Sequence, residues 1–324
     1  VSFTLVEEGG LRDVIAAAAA TAGKWSAVKE LKIIRGHTAW APRLHQAFPR
    51  LTTLHLHDVT GISAGDMACI AMCPALSSLT CYGCSWGGAA AALHELSAAS
   101  QLHTLALRPI PAGGITSLPS LSGQITDLDI SWAGRQLPDS FGASLGSLTK
   151  LQSLRITSDD DSKFRALCVE HLEPLAANCS SLKALTLSDV SVDLLTYSLL
   201  AAMPALRTLW LRSIVPGPVM PAEPLPPTGI THLQFKCAPP LDIRVAARLA
   251  ISTMSKFGIS PDLLVPDGIP RGEALLELQA AAVNLGTRCP GLDTYEGGHC
   301  LRLHVANVAL AQHSSVPLLA ALAP

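Results

Sequence analysis

Four groups of residues in this chain have types and spacings that could do chemistry. His55 and His57 are separated by one residue, so on an extended strand both imidazoles project to one side and could begin a metal site. Cys81 and Cys84 are spaced as Cys-Tyr-Gly-Cys, which suits a redox dithiol or half of a zinc site. Asp127 and Asp129 form a same-sided carboxylate pair of the kind that does acid and base work. Ser158-Asp-Asp-Asp-Ser162 could fold around a calcium ion. Each group lacks what its chemistry requires. Cys81 falls on an inward place of its repeat with no convincing further pair of zinc ligands, the closing Glu and sixth-position Gly of a calcium loop are missing, and no HExxH, GxSxG or phosphate-cradling glycine loop occurs. The expectation is a chain that is not an enzyme, with no catalytic residue, no cofactor and no metal.

What must position these residues is a repeat. A triplet spaced LxxLxL returns as Val28/Leu31/Ile33, Leu51/Leu54/Leu56, Leu76/Leu79/Cys81, Leu102/Leu105/Leu107, Ile125/Leu128/Ile130, Leu151/Leu154/Ile156, Leu182/Leu185/Leu187, Leu206/Leu209/Leu211 and Ile230/Leu233/Phe235. Successive first places lie 23, 25, 26, 23, 26, 31, 24 and 24 residues apart. Such a period belongs to units of one strand and one return segment, stacked so that each buries its neighbour's apolar face. The fold expected is α/β, a leucine-rich-repeat solenoid with short parallel strands lining a concave face and helices or irregular segments on the convex back.

Composition agrees. Of 324 residues, 49% are hydrophobic and 15% charged, which excludes general disorder. Net charge is −2 without clustered Lys and Arg, so no nucleic-acid backbone is an expected partner. The longest apolar stretch near the amino end, 14–20, is far short of the ~20 residues that span a bilayer, so no membrane insertion is expected. Nine cysteines scattered through the repeats suit small buried hydrophobes in a reducing compartment, hence an intracellular, cytoplasmic expectation. The first residue is Val1, which suggests a chain that is incomplete or processed.

Three regions follow from the spacing: an amino-terminal helical cap over 1–27, an array of about nine repeats over 28–240, and enlarged irregular repeats with a helical cap over 241–324. Within the array, the Asp run is expected to be a turn before a long helix capped by Ser162, running through Phe164, Leu167, Leu172 and Leu175. The proline-rich stretch 215–227 is expected to be extended, since proline removes backbone donors. It reads as a rigid loop or a docking strip for a proline-reading module. After residue 240, helices are expected over 241–257 and 273–285, with last strands near Leu292/Tyr295 and Leu301/Leu303 and a helical tail over 305–322.

If the fourth and sixth places of a triplet point inward, the third, fifth and seventh point outward and form the binding surface. That frame selects His55, His57, Tyr82, Arg108, Asp129, Arg155, Trp210, Arg212 and Lys236, with Trp132 one place further on where the chain begins to turn. Trp210 beside Arg212 has the make-up of an interface anchor. Asp129 and Arg155, at the same place in neighbouring repeats, are expected to pair laterally.

Junctions such as Leu175-Ala-Ala-Asn-Cys179-Ser-Ser-Leu182-Lys-Ala-Leu185-Thr-Leu187 resemble the cysteine-containing, ribonuclease-inhibitor-like subclass of intracellular leucine-rich-repeat proteins. The resemblance implies a non-catalytic interaction module, a scaffold or structural subunit of a multi-subunit assembly that binds a protein partner on its concave face. A second implied role is the F-box-like substrate receptor of a ubiquitin ligase. The chain departs from that pattern three places after each triplet, where it has Gly36, Val59, Cys84, Ile110, Ala133, Asp159, Val190, Ile214 and Ala238 in place of a regular Asn or Cys. Turns held by apolar packing, with no side-chain hydrogen-bond ladder, are therefore expected.

Overall fold

The computed structural model describes residues 1–6, 11–21, 25–87, 90–111, 113–132, 137–158, 166–167, 169–217, 220–221, 225, 228–235, 241–249, 256–257, 262–265, 272–274, 276–277, 280–281 and 302–305. The chain divides into two compact units, one of Val1–Asp160 with Pro174–Leu182, the other of Asp161–Glu173 with Lys183–Pro324.

In the first unit, β1 (Ser2–Val6), β2 (Glu30–His37), β3 (Thr53–Thr60), β4 (Ser78–Tyr82), β5 (Thr104–Arg108), β6 (Asp127–Trp132) and β7 (Ser153–Ser158) lie side by side in chain order. Every neighbouring pair is parallel and in repeat register, with Leu31, Leu54, Leu79, Leu105, Leu128 and Leu154 opposite one another. The fold is the α/β leucine-rich-repeat solenoid that the triplets predict. From β2 to β7 the first, fourth and sixth places are at most 4% exposed. Burying a leucine side chain contributes about 1.5–3 kcal/mol, so each repeat holds its neighbours through three such residues.

Two backbone devices recur at each junction. The residue three before the triplet accepts from the first place, as in Leu51 N to Phe48 O (3.1 Å), Leu76 N to Cys73 O (3.2 Å), Leu102 N to Ala99 O (2.8 Å) and Leu151 N to Leu148 O (3.0 Å). The second-place carbonyl then accepts two N–H groups from the next repeat: Lys29 O from Thr52 and Thr53, Thr52 O from Ser77 and Ser78, Ser77 O from His103 and Thr104, His103 O from Thr126 and Asp127, and Thr126 O from Gln152 and Ser153. Hydroxyls at the second place join in, Thr52 Oγ1 donating to Lys29 O (2.9 Å) and Ser77 Oγ to Thr52 O (3.1 Å). The chain therefore does carry a side-chain ladder, at the entrance of the strands. At the exit the turns are apolar as expected, with Val59, Cys84 and Ile110 at most 6% exposed.

The exit turn has its own constraint. At the eighth place, Arg35, Asp58 and Gly83 adopt φ of 66°, 53° and 64°, the left-handed region that glycine enters without cost. A Cβ on Gly83 would collide with the Asp58 carboxylate. Return segments are short. Helix Ala64–Ala71 is started by a capping box in which Ser63 N donates to Asp66 Oδ2 (2.9 Å) and Asp66 N to Ser63 Oγ (3.3 Å).

The amino-terminal region differs from the helical cap expected over 1–27. Residues 2–6 form β1, whose Phe3 and Leu5 stand opposite Leu31 and Ile33, followed by a helix at Leu11–Ala20. It is one more strand-and-return unit, hidden from the triplet count because the first place would fall before Val1.

The second unit holds β8 (Ala166–Leu167), β9 (Ala184–Asp193), β10 (Thr208–Val215), β11 (His232–Phe235), β12 (Leu241–Asp242), β13 (Lys256–Phe257), β14 (Asp262–Val265) and β15 (Arg302–Val305). Strands β9, β10, β11 and β13 are parallel neighbours, and β8 pairs with the far end of β9. Leu185, Leu187, Leu209, Leu211 and Leu233 are at most 1% exposed. Strands β12, β14 and β15 form a separate parallel sheet. The same junction device continues, with Lys183 O accepting from Arg207 and Thr208, and Arg207 O from Thr231 and His232.

Two helix expectations are corrected here. Leu167 lies in β8, paired with Val192, and the helix begins at Val169, because the elongated β9 offers backbone partners that a helix would leave unused. Residues 159–165, with the Asp run and Ser162, lie outside the described residues. Where a helix is expected over 241–257, Ile243–Arg248 is helical, started by the Asp242 carboxylate, which accepts from Arg244 N (2.8 Å), while Leu241–Asp242 and Lys256–Phe257 are strands. Helical backbone is present at 272–274, 276–277 and 280–281; Leu292, Tyr295 and the tail after Val305 lie outside the described residues.

The proline-rich stretch is anchored from within the chain. Arg248 Nε donates to Pro221 O, Leu225 N donates to Arg248 O (3.0 Å), and the Arg248 guanidinium holds the Glu277 carboxylate by two bonds of 2.5 and 2.6 Å. This ion pair is only 15% and 13% exposed, so its hydrogen bonds must offset the loss of hydration. Replacing Arg248 by Ala leaves Glu277 charged and unpartnered; urea unfolding should show a loss of about 3–5 kcal/mol. Gly83→Ala, which forces a side chain into the left-handed region, should cost about 1–2 kcal/mol in the same measurement.

Candidate functional site: the outward face of the strands

The same register that buries the fourth and sixth places lines up the outward ones. Across the first unit the fifth places run Lys32, His55, Thr80, Ala106, Asp129 and Arg155, and the seventh run Ile34, His57, Tyr82 and Arg108. Strands stand about 4.8 Å apart, so neighbours in a row are within side-chain reach. The phenol of Tyr82 is 52% exposed, and its ring lies 5.7 Å from the His57 ring at 43°. Ser131, at the seventh place of β6, is buried.

Charge on this face is organised diagonally. The expected pair of Asp129 with Arg155 is replaced by Asp129 with Arg108, whose Nε donates to Oδ1 (2.8 Å) and whose Nη2 donates to Oδ2. Arg108, two places further along the neighbouring strand, reaches the carboxylate with its two-pronged fork, a geometry that outweighs direct lateral adjacency. Arg155 stands exposed beside them. At the other end His55 Nε2 lies 3.7 Å from Glu30 Oε1, a carboxylate at the outward third place of β2.

Asp127 accepts from Thr126 Oγ1 (2.7 Å), and Asp129 is occupied by Arg108. Neither carboxylate is arranged as a free acid or base. Among the described residues no three of His, Cys, Asp and Glu are grouped to hold a metal ion. Cys81 and Cys84 face the core, 1% and 5% exposed, and the single thiol proton of Cys84 lies between two carbonyl acceptors, Leu56 O (3.5 Å from Sγ) and Tyr82 O (3.6 Å). The hydrogen bond between the two thiols, followed by burial, pushes the Cys81 thiol far up, while the same bond lowers that of Cys84. Burial pushes Cys73 up to about 12 and Cys179 up to about 11, so both remain thiols at neutral pH. These four cysteines pack as the sequence reading expects.

In the second unit, Trp210 is flanked in register by Thr186 and Gln234, and 41% of it is exposed. Arg212 is half-buried on the same strand, and the seventh-place Ser188 is buried. Lys236 lies outside the described residues. Trp132 occupies the end of β6 and is half-buried, with no hydrogen-bond partner for its indole nitrogen among the described residues.

Two comparisons with known proteins return nothing: no protein-family description matches the chain, and no curated protein does. Solved structures do match. A leucine-rich-repeat protein of Leptospira interrogans is 14% identical, covering 79% of this chain and 65% of its own, with a TM-score of 0.40. An internalin of Listeria monocytogenes is 15% identical over 65% of this chain and 68% of its own, with a TM-score of 0.39. A plant peptide hormone receptor, solved with its hormone, is 16% identical over 74% of this chain and 38% of its own, with a TM-score of 0.37. The chain thus spans just under two thirds of the Leptospira protein and well under half of the plant receptor. The fold assignment itself stands on the strand register. Among the described residues no helix is long and apolar enough to cross a membrane.

His57 supplies a test of this geometry. Partial burial, then Lys32 and His55, hold it below its ordinary value of 6.5, with Asp58 pulling the other way. The unfolded chain therefore binds more protons than the folded one between that lowered value and 6.5, and stability falls as pH drops through this window. Urea midpoints measured from pH 7.5 to 5.5 should decline less for His57→Gln than for the unmodified chain. An equal decline would place His57 in free solvent.

Proposed function

We propose that the chain is a non-catalytic protein-interaction module, a scaffold or structural subunit of a multi-subunit intracellular assembly, that holds a protein partner on the outward face of its strands. One observation carries the reading. Trp210 sits mid-strand on a row whose inward neighbours, Leu209 and Leu211, are fully packed, yet its own indole stands 41% exposed. A large aromatic that the core does not use gains most by being covered, and tryptophan and arginine dominate the energetics of protein interfaces.

The other side chains named for this face fit an interface in kind. Tyr82 is a second exposed aromatic, the Arg108–Asp129 pair is rigid and polar, and Arg155 is a cation at the margin. Within each unit taken by itself, exposed aromatic and charged side chains of this kind are the usual make-up of a protein contact.

Capture of partners by the tagged full chain, followed by mass spectrometry, tests the reading with Trp210→Ala as the comparison. A hot-spot side chain is worth at least about 2 kcal/mol, roughly 30-fold in affinity. The variant should lose the partner by that factor at an unchanged melting temperature. Undiminished capture, or a loss that merely follows a lower melting temperature, would sink the proposal.

A further inference from the structure

The outward face of the second unit differs in charge from that of the first. Places two to seven of its three regular repeats, 183–188, 207–212 and 231–236, hold Lys183, Arg207, Arg212 and Lys236 and neither Asp nor Glu. The six corresponding segments of the first unit hold four cations, Lys29, Lys32, Arg108 and Arg155, against three carboxylates, Glu30, Asp127 and Asp129. One face is cationic and the other is close to balanced.

Parallel register brings these charges together. Lys183 and Arg207 hold the same second place in neighbouring repeats, joined where Lys183 O accepts from Arg207 N (2.9 Å), and both are exposed. Arg212 follows Trp210 on the same side of β10. Beyond β11, Lys256 of β13 stands opposite His232. The Arg207 guanidinium donates to the carbonyls of Pro204 (2.9 Å), Leu206 (3.0 Å) and Gly229 (3.5 Å), neutral dipoles that hold the group and leave its full charge. The acidic residues of these strands are Asp189 and Asp193, both beyond place seven of β9. Asp193 starts the following helix, its carboxylate accepting from Thr196 N (2.7 Å). With both counted against the face, the cations Lys183, Arg207, Arg212 and Lys256 still outnumber carboxylates four to two. Asp242 and Glu277, later in the chain, are matched by Arg244 and Arg248.

We propose, building on the interaction reading above, that this face docks an acidic segment of the protein partner, one apolar side chain covering Trp210 and carboxylates around it meeting Lys183, Arg207 and Arg212. The argument is charge complementarity arranged about an uncharged centre. Along β10, places two and seven are roughly 16 Å apart at about 3.3 Å per residue, and Trp210 lies between them. The floor beside it is Thr186 and Gln234, with Thr208 on its own strand. Carboxylates that approach from either side accept charge-assisted hydrogen bonds, paired ones from the guanidinium groups. The indole supplies area to be covered, and the surrounding cations select the sign of what covers it.

A polypeptide suits this layout better than a nucleic acid. The cations stand on two sides of a neutral floor, and Trp210 is the one exposed aromatic among the described residues of the unit. A phosphodiester chain carries charge at every nucleotide and calls for a continuous cationic track with a series of stacking rings.

The test uses the full chain with a fluorescein-labelled heptapeptide of one phenylalanine between two runs of three glutamates, read by fluorescence anisotropy. The same peptide with glutamine for glutamate should bind at least about tenfold more weakly. Affinity for the glutamate peptide should fall at least about threefold between ~50 and ~200 mM salt. It should drop about fivefold in Lys183→Glu/Lys256→Glu and about 30-fold in Trp210→Ala. Lys32→Gln, which removes a cation from the first unit, should change nothing. Melting temperatures of these variants should match that of the unmodified chain; where the lysine variant melts lower, the two peptides compared on the unmodified chain decide. No binding, equal binding of the glutamine peptide, indifference to salt or to Trp210→Ala, or displacement by hexathymidylate as effective as by unlabelled peptide would each overturn the proposal. Any of these results alongside partner capture that Trp210→Ala still abolishes removes the acidic segment and leaves the broader interaction reading standing.

Discussion

One carbonyl per junction, that of the second place, accepts two N–H groups from the repeat that follows, and this shared acceptor fixes where the next strand begins. A strand displaced by one residue would turn its leucines outward, because side chains alternate faces at every step. The same bond that stacks the backbone therefore decides which residues are core and which are surface. Burial of the first, fourth and sixth places then locks each register from the inside. The outward grid is a by-product of this constraint: once the leucines are aligned, Lys32, His55 and Thr80 have no freedom to be anything but neighbours.

The separation of inward from outward explains why so much was legible. Periodic apolar places identify strands directly, and nine of the strands in the two units were found from spacing alone. What escaped detection has a common physical origin in partners set by three-dimensional neighbourhood. β1 escaped because a triplet is recognised by three residues and only Phe3 and Leu5 are present. β8 is held by the tail of β9, an acceptor that nothing in Ala166–Leu167 announces. Arg248 grips Pro221 and Glu277, one 27 residues before it and the other 29 after, and no repeat period links the three.

The outward face was legible in composition and less so in pairing. Rows predict lateral neighbours, and the lateral reading of Asp129 with Arg155 failed because a guanidinium is long and two-pronged: from the seventh place of β5 it reaches the fifth place of β6 and satisfies both carboxylate oxygens. The same diagonal reach brings Glu30 to His55. A rule for reading such faces follows from side-chain length. Short residues interact along the row, while Arg, Glu and His select the diagonal, so ion pairs in a stacked sheet are sought one strand over and two places along. The turn chemistry shows a parallel substitution. Where the resemblance leads one to expect Asn or Cys at every strand exit, this chain has buried Val59 and Ile110 at two of them, keeps at Cys84 a thiol facing Leu56 O, and adds side-chain hydrogen bonds from threonine and serine hydroxyls at strand entrances.

The two units then differ in what they offer a ligand. In the first, the exposed aromatic is bound into polar company: Tyr82 leans on His57, with Arg108 held beside it by Asp129. Rigid charges of this kind are already partly desolvated by their partners, which makes them sensitive to the sign of what approaches and modest in the affinity they supply. In the second, Trp210 lies between Thr186 and Gln234, two uncharged neighbours that leave apolar area to be covered, with the cations at places two and seven. Affinity from area and discrimination from charge are separable quantities. A surface that keeps them on different places can alter one without disturbing the other, because each repeat is tied to its neighbours by leucines and shared carbonyls that take no part in either.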